Sequence, residues 1–370
     1  MRNQRICIVG DGLAGLTTAL RLKNLNLDID LYASSQKPRR TIDRRTTAIS
    51  DSNYKFMNNC FENIKNDIFW PCKKINLYYE NEESYFNFLN LEEKKRNLMY
   101  IFENHKLKKL LKKNLKKSKV NFIKKQITNL KKIENYYDLV FLCMGNNSKF
   151  YDSLLNTRPI RKDYKEIAIT GYLTSSIKLI NSKQYFLKEG PLAFLPFSRN
   201  TFSFVWSLDR NFFLQNKENL KKIVLEKVRK IINKKINLKI SPIDHYPLHL
   251  NLKTKYYKKN TMILGEGLHS VHPLAGQGFN LVLRDIQKLY EIIKKNSQCG
   301  LTFKDSSILS EFYNSRKPEN ILLGLGINFT HGFFKRNKFF DPAKQTILNN
   351  ISKLNEIKRI SKIVSNKGFF

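Results

Sequence analysis

Three glycines within six residues, set between an apolar strand and an apolar helix, constrain this chain more than any other feature. Gly10-Asp11-Gly12-Leu13-Ala14-Gly15 follows Ile6-Cys7-Ile8-Val9 and precedes the apolar run Leu16 to Leu22, with Ile29-Asp30-Leu31-Tyr32 beyond. The change of periodicity from strand to helix and back predicts a βαβ unit at the start of the chain. Glycines at these places permit a tight turn, let backbone approach a pyrophosphate and let the helix pack closely on the strand, while the helix N-terminus offers unpaired amides. The turn therefore predicts a dinucleotide held by Gly10, Gly12, Leu13, Ala14 and Gly15. About 18 residues past the last glycine an acid would grip the ribose hydroxyls. Ala33 stands there instead, with Ser34 and Ser35 behind it.

Further along, Leu107, Leu110, Leu111 and Leu115 make a helical stripe in the segment Leu98 to Leu115, followed by a short strand at Val120 to Ile123. A second strand, Leu139 to Cys143, ends at a glycine turn. From Glu166 to Leu208, short apolar runs such as Tyr185-Phe186 and the alternation Phe202-Ser203-Phe204-Val205-Trp206 predict an antiparallel sheet. After Leu252 the strand, glycine turn and helix pattern resumes at Met262-Ile263-Leu264, with a helix starting at about Phe279, and the remainder reads as helical. The dinucleotide fold is thus expected to be interrupted by a sheet and resumed after it.

The chain of 370 residues is long enough for two domains. Its formal charge of +36 would attract phosphates or an anionic membrane. The excess is lysine spread along the whole chain, a solvated basic surface, and no nucleic-acid motif accompanies it, so nucleic acid is not expected as a partner. No run approaches the roughly 20 apolar residues that span a bilayer, and Met1 leads straight into a strand with no room for a signal peptide, which predicts a cytoplasmic protein. The five cysteines (Cys7, Cys60, Cys72, Cys143, Cys299) form no C-x-x-C pair, and His245, His249, His269 and His272 have no metal-ligand spacing, so no metal is expected. Two basic amphipathic stretches, Lys106 to Lys119 and Leu354 to Lys367, fit either a helix packed on the core with its lysines in water or a helix docked on an anionic membrane.

The segment Met262 to Asp285 carries the most chemistry. A strand ends at Gly265, the carboxylate of Glu266 follows, and Pro273 to Gly278 brings backbone amides to the start of a helix, where they would stabilise negative charge on a reduced ring. The run His272-Pro273-Leu274-Ala275-Gly276-Gln277-Gly278-Phe279-Asn280-Leu281, with Arg284-Asp285 after it, resembles the second FAD motif of the ubiquinone-biosynthesis hydroxylases, a branch of the class A FAD-dependent aromatic monooxygenases. The same family is matched, in order, by Asp43 to Ser50, Tyr100 to Asn104, Gly190 to Pro196 with Val205-Trp206, and Tyr246-Pro247-Leu248. The likeness covers nearly the whole chain and is weaker beyond Arg316.

The resemblance implies an α/β fold: an FAD-binding Rossmann-like domain of the glutathione-reductase type, interrupted by an antiparallel-sheet substrate domain, with C-terminal helices. The FAD-binding domain would comprise residues 1–70, 97–160 and 252–300, the substrate sheet 71–96 and 161–251, and the helical region 301–370. Carried over by position, Gly10, Gly12 and Gly15 hold the pyrophosphate, Arg45 contacts the phosphate or ribityl region, and Asn104 supports it. Gly265 and Glu266 bind the ribityl or pyrophosphate, and Pro273, Gly276, Gln277, Gly278, Phe279 and Asn280 border the flavin ring. Glu266 stands where the family has aspartate. The family's Asp-Gly motif, tied to FAD and NAD(P)H, falls on Leu142 to Ser148 with Met144 in place of the aspartate. The implied activity is hydroxylation of a lipophilic polyprenyl phenol by FAD and molecular oxygen, with NAD(P)H or another electron donor. The inserted sheet's apolar and aromatic residues would line the substrate pocket, with peripheral contact at the inner face of the cytoplasmic membrane and other quinone-biosynthesis proteins as partners. No catalytic side chain is nominated, because the cofactor carries the chemistry. A scaffold that has lost catalysis, or another FAD-dependent oxidoreductase on the same fold, are the alternatives.

Overall fold

The computed structural model describes residues 4–33, 43–61, 68–81, 84–146, 149–176, 178–232, 236–304, 307–335, 344, 346–350 and 354–367. Ser34, Ser35, Asn147 and Ser148 lie outside these. The chain opens with β1 (Arg5–Val9), α1 (Leu13–Leu22) and β2 (Asp28–Ala33), then leaves for β3 (Thr46–Ser50), α2 (Asp51–Asn58), β4 (Trp70–Cys72), β5 (Lys74–Glu80), β6 (Tyr85–Glu92) and β7 (Met99–Glu103). It returns with α3 (Asn104–Leu115), β8 (Asn121–Lys124), α4 (Leu130–Tyr136), β9 (Leu139–Leu142) and α5 (Lys149–Leu155). A second excursion holds β10 (Ile160–Ser175), β11 (Ser182–Leu187), β12 (Gly190–Pro196), β13 (Thr201–Asp209), α6 (Arg210–Gln215), α7 (Leu220–Ile232), β14 (Leu238–Ile240) and β15 (Asp244–Leu252). The chain then adds β16 (Tyr257–Lys258), β17 (Thr261–Ile263), β18 (His269–Ser270), α8 (Gln277–Gln298), α9 (Ile308–Phe334) and α10 (Asn355–Lys367).

These strands form three sheets. The first has the order β16-β17-β9-β1-β2-β8, parallel throughout except for the edge strand β16. Its centre, Ile6-Cys7-Ile8 and Leu139 to Leu142, is buried, as a parallel sheet covered on both faces requires. The second is a mostly antiparallel nine-stranded sheet running β18-β15-β10-β13-β12-β11-β5-β6, with β14 beside β10 and the single parallel pair β11/β5. The third, β3-β7-β4, lies between the excursions and the parallel sheet in chain order. The helix expected in the segment Leu98 to Leu115 contains the whole leucine stripe but is shorter than the segment. Residues 99–103 are a strand paired with β3 and β4, and the helix begins at Asn104. The aromatic and β-branched run Tyr100-Ile101-Phe102 favours a strand, and the leucine stripe starts only at Leu107.

Strand alternation sorts the large sheet's residues. Phe202, Phe204 and Trp206 point away from the FAD-type sheet into a core closed by Leu220, Val224 and Val228 of α7. They are fully buried packing residues of that core. The opposite face carries Ser203, whose hydroxyl hydrogen-bonds that of Thr46 in β3, and Leu195, packed with Ala48 and Ile101. A separate aromatic cluster joins Tyr79, Phe88 and Phe186 to Phe334 of α9 and to Leu274, with Phe186 and Phe334 stacked at 3.5 Å.

The C-terminal helices are tied to the sheet by a buried ionic network. Asp285 of α8 accepts from His269 Nε2 at 2.7 Å, Arg316 Nε at 2.7 Å and Asn320 Nδ2 at 3.1 Å, and Arg316 also pairs with Glu319. Burial pushes the Asp285 carboxyl up, but Arg316 and His269 outweigh it and hold the group below its ordinary value. A depressed carboxyl contributes stability that is complete above its unfolded pKa and is lost as pH falls through the folded one. Arg316→Met would remove the arginine charge from that buried carboxylate, leaving it only His269 and Asn320, and would leave Glu319 without its closest cation. A loss of about 3 to 5 kcal/mol in urea unfolding at neutral pH is expected, shrinking as the pH drops below about 4.

Candidate functional site

The glycine turn folds as its spacing predicts, and the reason is steric. Gly10 has φ +118°, and a Cβ there would stand 2.3 Å from the carbonyl oxygen of Cys143 at the end of β9. A Cβ on Gly15 would meet the Gly10 carbonyl at 2.0 Å, so α1 lies on β1 with no side chain between them. Gly12 differs: its φ is −74°, and a Cβ would meet nothing within 4 Å. It is the N-cap of α1 and carries no side-chain cap, which leaves the amides of the first turn, from Leu13 onward, directed at open space. Gly265, with φ +87°, approaches Ala14 so closely that a Cβ would sit 2.8 Å from that side chain. The ends of β1, β9 and β17 therefore meet around one glycine-lined mouth, with the exposed Glu266 at its edge.

Charge at this mouth is balanced locally. Asp11 pairs with Lys112 at 2.6 Å and Lys108 at 3.4 Å. Burial raises the Asp11 carboxyl, but the Lys112 hydrogen bond and both lysine charges outweigh it and hold it down. Arg45 makes a two-point pair with Asp43, both bonds at 2.9 Å, and its guanidinium lies 5.3 Å from the Tyr246 ring. The Asp43 hydrogen bond raises the arginine above its ordinary value, and the Glu266 charge adds to that. Asn104 receives a hydrogen bond from Thr47 Oγ1 at 2.6 Å, and its amide donates to the Arg45 carbonyl at 3.0 Å, so it braces β3.

The second motif docks on the same strand. Gly276 caps α8 at φ +63°, in a left-handed turn against Ala48, again without a side-chain cap. Asn280 is consumed internally: its Nδ2 donates to the carbonyls of Ala48 (3.0 Å) and Gly276 (2.9 Å), and its Oδ1 accepts from Ser50 N (2.9 Å) and Asn53 Nδ2 (2.7 Å). It shapes the loop and is 3 % exposed, so its side chain faces β3 and α2 and is not turned outward. Phe279 packs edge-on to Phe102 at 6.3 Å, and Pro273 accepts from Gly276 N at 3.2 Å. Gln277 begins α8, and Gly278 has no neighbour within 4 Å of where a Cβ would stand. At the Asp-Gly position the Met144 amide donates to Tyr151 Oη at 3.1 Å, and Gly145 adopts φ +71°. Asn146 contacts His249 and accepts from Asn251 at 3.1 Å, beside a polar cavity of about 490 Å³ that also holds Lys253 and Arg161.

Sequence reading missed one grouping. Glu166, His272 and His331 come together in the interior from three different elements, with His272 Nε2 at 3.1 Å and His331 Nε2 at 2.9 Å from the two carboxylate oxygens. An ionised carboxylate only accepts, so both rings donate through Nε2. Burial pushes the Glu166 carboxyl up, yet the two histidine hydrogen bonds hold it at about 2, while burial keeps the His272 imidazole below its ordinary value. His269 is a partner of Asp285, and His245 is exposed against Phe213.

Comparison with known proteins gives this geometry a name. Residues 169–298 match the family model described as FAD binding domain. The chain is 28% identical over 212 residues to the mitochondrial ubiquinone biosynthesis monooxygenase COQ6 of Dictyostelium discoideum, covering 47% of this chain and 42% of that protein. It is 26% identical over 157 residues to the 3-demethoxyubiquinol 3-hydroxylase of Escherichia coli, covering 42% and 40%. In sequence the chain is similar to ubiquinone-biosynthesis FAD-dependent hydroxylases. The matched stretch spans about two fifths of the length of these curated relatives. In structure it is similar to p-nitrophenol 4-monooxygenase of Pseudomonas putida, with TM-score 0.77 at 11% identity over 98% of this chain and 97% of that one. A variant of HpxO from Klebsiella pneumoniae complexed with FAD gives 0.72 at 13% over 99% and 100%. The fold is that of the FAD-dependent monooxygenases.

FAD is the cofactor, and the residues present fit it. Two uncapped helix N-termini, at Gly12 and Gly276, and the side-chain-free surface at Gly12 and Gly278 are what an anionic, backbone-bound ligand needs. The fit is incomplete at Ala33, at the end of β2, which supplies no carboxylate for the ribose, and at Met144, which stands in place of the Asp-Gly aspartate. When bound, FAD supplies the redox chemistry, and the protein supplies position and electrostatics. A steric test separates binding from folding. Gly12→Ala, which collides with no protein atom, is expected to keep its melting temperature within a few degrees and to retain at least tenfold less FAD through gel filtration. Gly15→Ala should fail to fold.

Proposed function

We propose that this protein is an FAD-dependent monooxygenase that hydroxylates the aromatic ring of a polyprenyl phenol in ubiquinone biosynthesis. Molecular oxygen is the co-substrate, and NAD(P)H or another reductant is the electron donor. The observation that carries the reading is a pair of helix N-termini without side-chain caps, Gly12 at the end of the parallel strand β1 and Gly276 against Ala48 of β3, with Gly265 packed closely on Ala14. In this reading Gly10, Gly12, Leu13, Ala14 and Gly15 hold the pyrophosphate, Arg45, Asn104, Gly265 and Glu266 hold or brace the ribityl side, and residues 273–279 border the ring, with Asn280 fixing their backbone. Residues 71–96 and 161–251 form the substrate side. The aromatic cluster of Tyr79, Phe88, Phe186 and Phe334 around Leu274 is the apolar wall next to the ring-bordering loop, suited to a lipophilic substrate. The chain's residues bind, orient and exclude water, which is the work a cofactor-driven reaction leaves to the protein.

Extraction of the purified protein should release about one FAD per chain, and less than about a tenth of that would count heavily against the reading. Expression in cells lacking their own hydroxylase should restore the missing quinone. The second reading, a scaffold in a quinone-biosynthesis complex, is favoured by Ala33 and Met144. It predicts that quinone synthesis stays absent in such cells while the protein still co-purifies with the other biosynthetic proteins.

We also propose contact with the inner face of the cytoplasmic membrane. No described helix is long and apolar enough to cross a bilayer. Helix α10 packs one face on α2, β3 and β6 and leaves Ile360 and Ile363 exposed beside Arg359, while Leu322, Leu325 and Phe329 are exposed along α9. Each basic residue near an anionic surface adds about 1 kcal/mol. The protein should sediment with vesicles containing phosphatidylglycerol, less so at high salt. The variant carrying Ile360→Asp and Ile363→Asp should stay in the supernatant at a salt concentration where the parent binds.

A further inference from the structure

Glu166, His272 and His331 are all buried, and both imidazoles hydrogen-bond to the carboxylate. Each donor comes from a different element: Glu166 from β10, His272 from the loop before α8, and His331 from the last turns of α9. Glu166 is turned inward by a β-bulge. The β10/β15 register shifts between Asp163 and Glu166, and Lys165 adopts φ +55°, an uncommon conformation for a side chain with a Cβ. Bulges of this kind re-aim a side chain. Here the bulge takes a carboxylate that would otherwise sit on an exposed strand end and buries it against two imidazoles.

We propose that Glu166, His272 and His331 form a binding site for one divalent transition-metal ion of the zinc class. Two imidazole nitrogens and one carboxylate are a donor set that such ions favour over magnesium or calcium. Their ligand atoms lie within 4.8 Å of one another, and all three residues are buried. The nitrogen-to-oxygen separations of 2.9 and 3.1 Å are close to the edge of a tetrahedral shell, which is about 3.3 Å for bonds of about 2.0 to 2.1 Å. An ion placed between them would replace both hydrogen bonds and draw the two imidazole nitrogens and the carboxylate onto one centre.

Two more observations fit an ion. Neither imidazole Nδ1 has a hydrogen-bond partner. Each ring is thus held through Nε2 alone, with its other nitrogen able to take the ring proton when Nε2 ligates. Three protein ligands also leave a coordination position to fill. A cavity of about 120 Å³ lined by Glu166 and His331 adjoins the cluster, room for a few waters. Its charged lining is three carboxylates (Glu166, Glu189, Asp209) against two lysines (Lys188, Lys335), so it is not cationic although the chain as a whole is at +36. An ion here would fasten α9 to the strand and to the loop that leads into α8.

The test uses the purified full-length protein, stripped with a chelator and titrated with Zn²⁺ followed by metal analysis, and in parallel with Co²⁺ followed by visible absorption. About one tightly held equivalent per chain is expected, with Co²⁺ bands of the intensity typical of four- or five-coordinate sites. Zn²⁺ should raise the melting temperature. His331→Gln and Glu166→Gln should each weaken binding at least tenfold and abolish the thermal shift, while the exposed-residue control His245→Gln should change neither. Circular dichroism identifies a variant that has not folded, and the Co²⁺ spectrum of the parent then decides alone. Absence of a bound equivalent in the parent, six-coordinate Co²⁺ bands of weak intensity, or full binding in folded His331→Gln would each overturn the proposal.

Discussion

The contact between the Gly15 position and the Gly10 carbonyl sets the distance between α1 and β1, and the whole cofactor region depends on that distance. With no Cβ at either place, the helix axis lies against the strand end and its N-terminus is delivered to the mouth of the sheet. Gly265 repeats the device on the other side by accepting the Ala14 methyl, so α1 is fixed between β17 and β9 by backbone on both sides. Larger side chains would have separated these elements by an ångström or more, and the unpaired amides of α1 would no longer face the same space as the turn after β17. The uncapped amides are brought to the mouth by close packing, and the steric demand falls on Gly10, Gly15 and Gly265 but not on Gly12.

Helix α8 is the second organiser, and two points in its N-terminal half are fixed by different physics. At the N-terminus Asn280 satisfies backbone groups of β3 and of its own loop, a neutral network with every side-chain atom paired. One turn later Asp285 is a charge in the interior, kept ionised by Arg316 and His269. Such a buried pair contributes little net stability relative to apolar packing but makes any other arrangement costly, because separating the partners strands a charge. Together they fix both the rotation and the axial position of α8 relative to β3 and α9, and hence where the loop of residues 273–278 sits.

The legibility of each feature from sequence depends on the range of the interactions that make it. The glycine turn, the βαβ unit, the resumed strand after Leu252 and the start of α8 rest on contacts between near neighbours and on φ values that only glycine adopts easily, so they can be read locally. The placement of Phe202, Phe204 and Trp206 could not be. Alternation announces that they share a face but not which face, and α7, which covers them, is named by nothing in β13. Tyr100 to Phe102 were drawn into a helix because the leucine stripe beyond them is stronger than three strand-forming residues. The contacts of Arg45 and Asn280 are to Asp43, Ala48 and Asn53, and nothing in the local sequence names those partners. The Glu166 cluster is the extreme case, since its members are separated by 106 and 165 residues along the chain.

The absence of a ribose-binding acid at Ala33 has to be weighed against the charges that remain at the glycine turn. Asp11 would place a carboxylate beside a pyrophosphate and repel it, but Lys108 and Lys112, one turn apart on α3, both reach that carboxylate. Two lysines against one aspartate leave the turn with a net positive charge, added to the positive end of the α1 dipole. Electrostatic attraction at the pyrophosphate falls with distance and is felt most at the mouth, whereas the missing acid would have acted by hydrogen bonds to the sugar. The first kind of interaction draws any dinucleotide, and the second selects its orientation. With a positive glycine turn and no carboxylate at Ala33, the orientation of the cofactor in the proposed site would rest on the far end, where Gly276 and the Asn280 network shape the loop before α8.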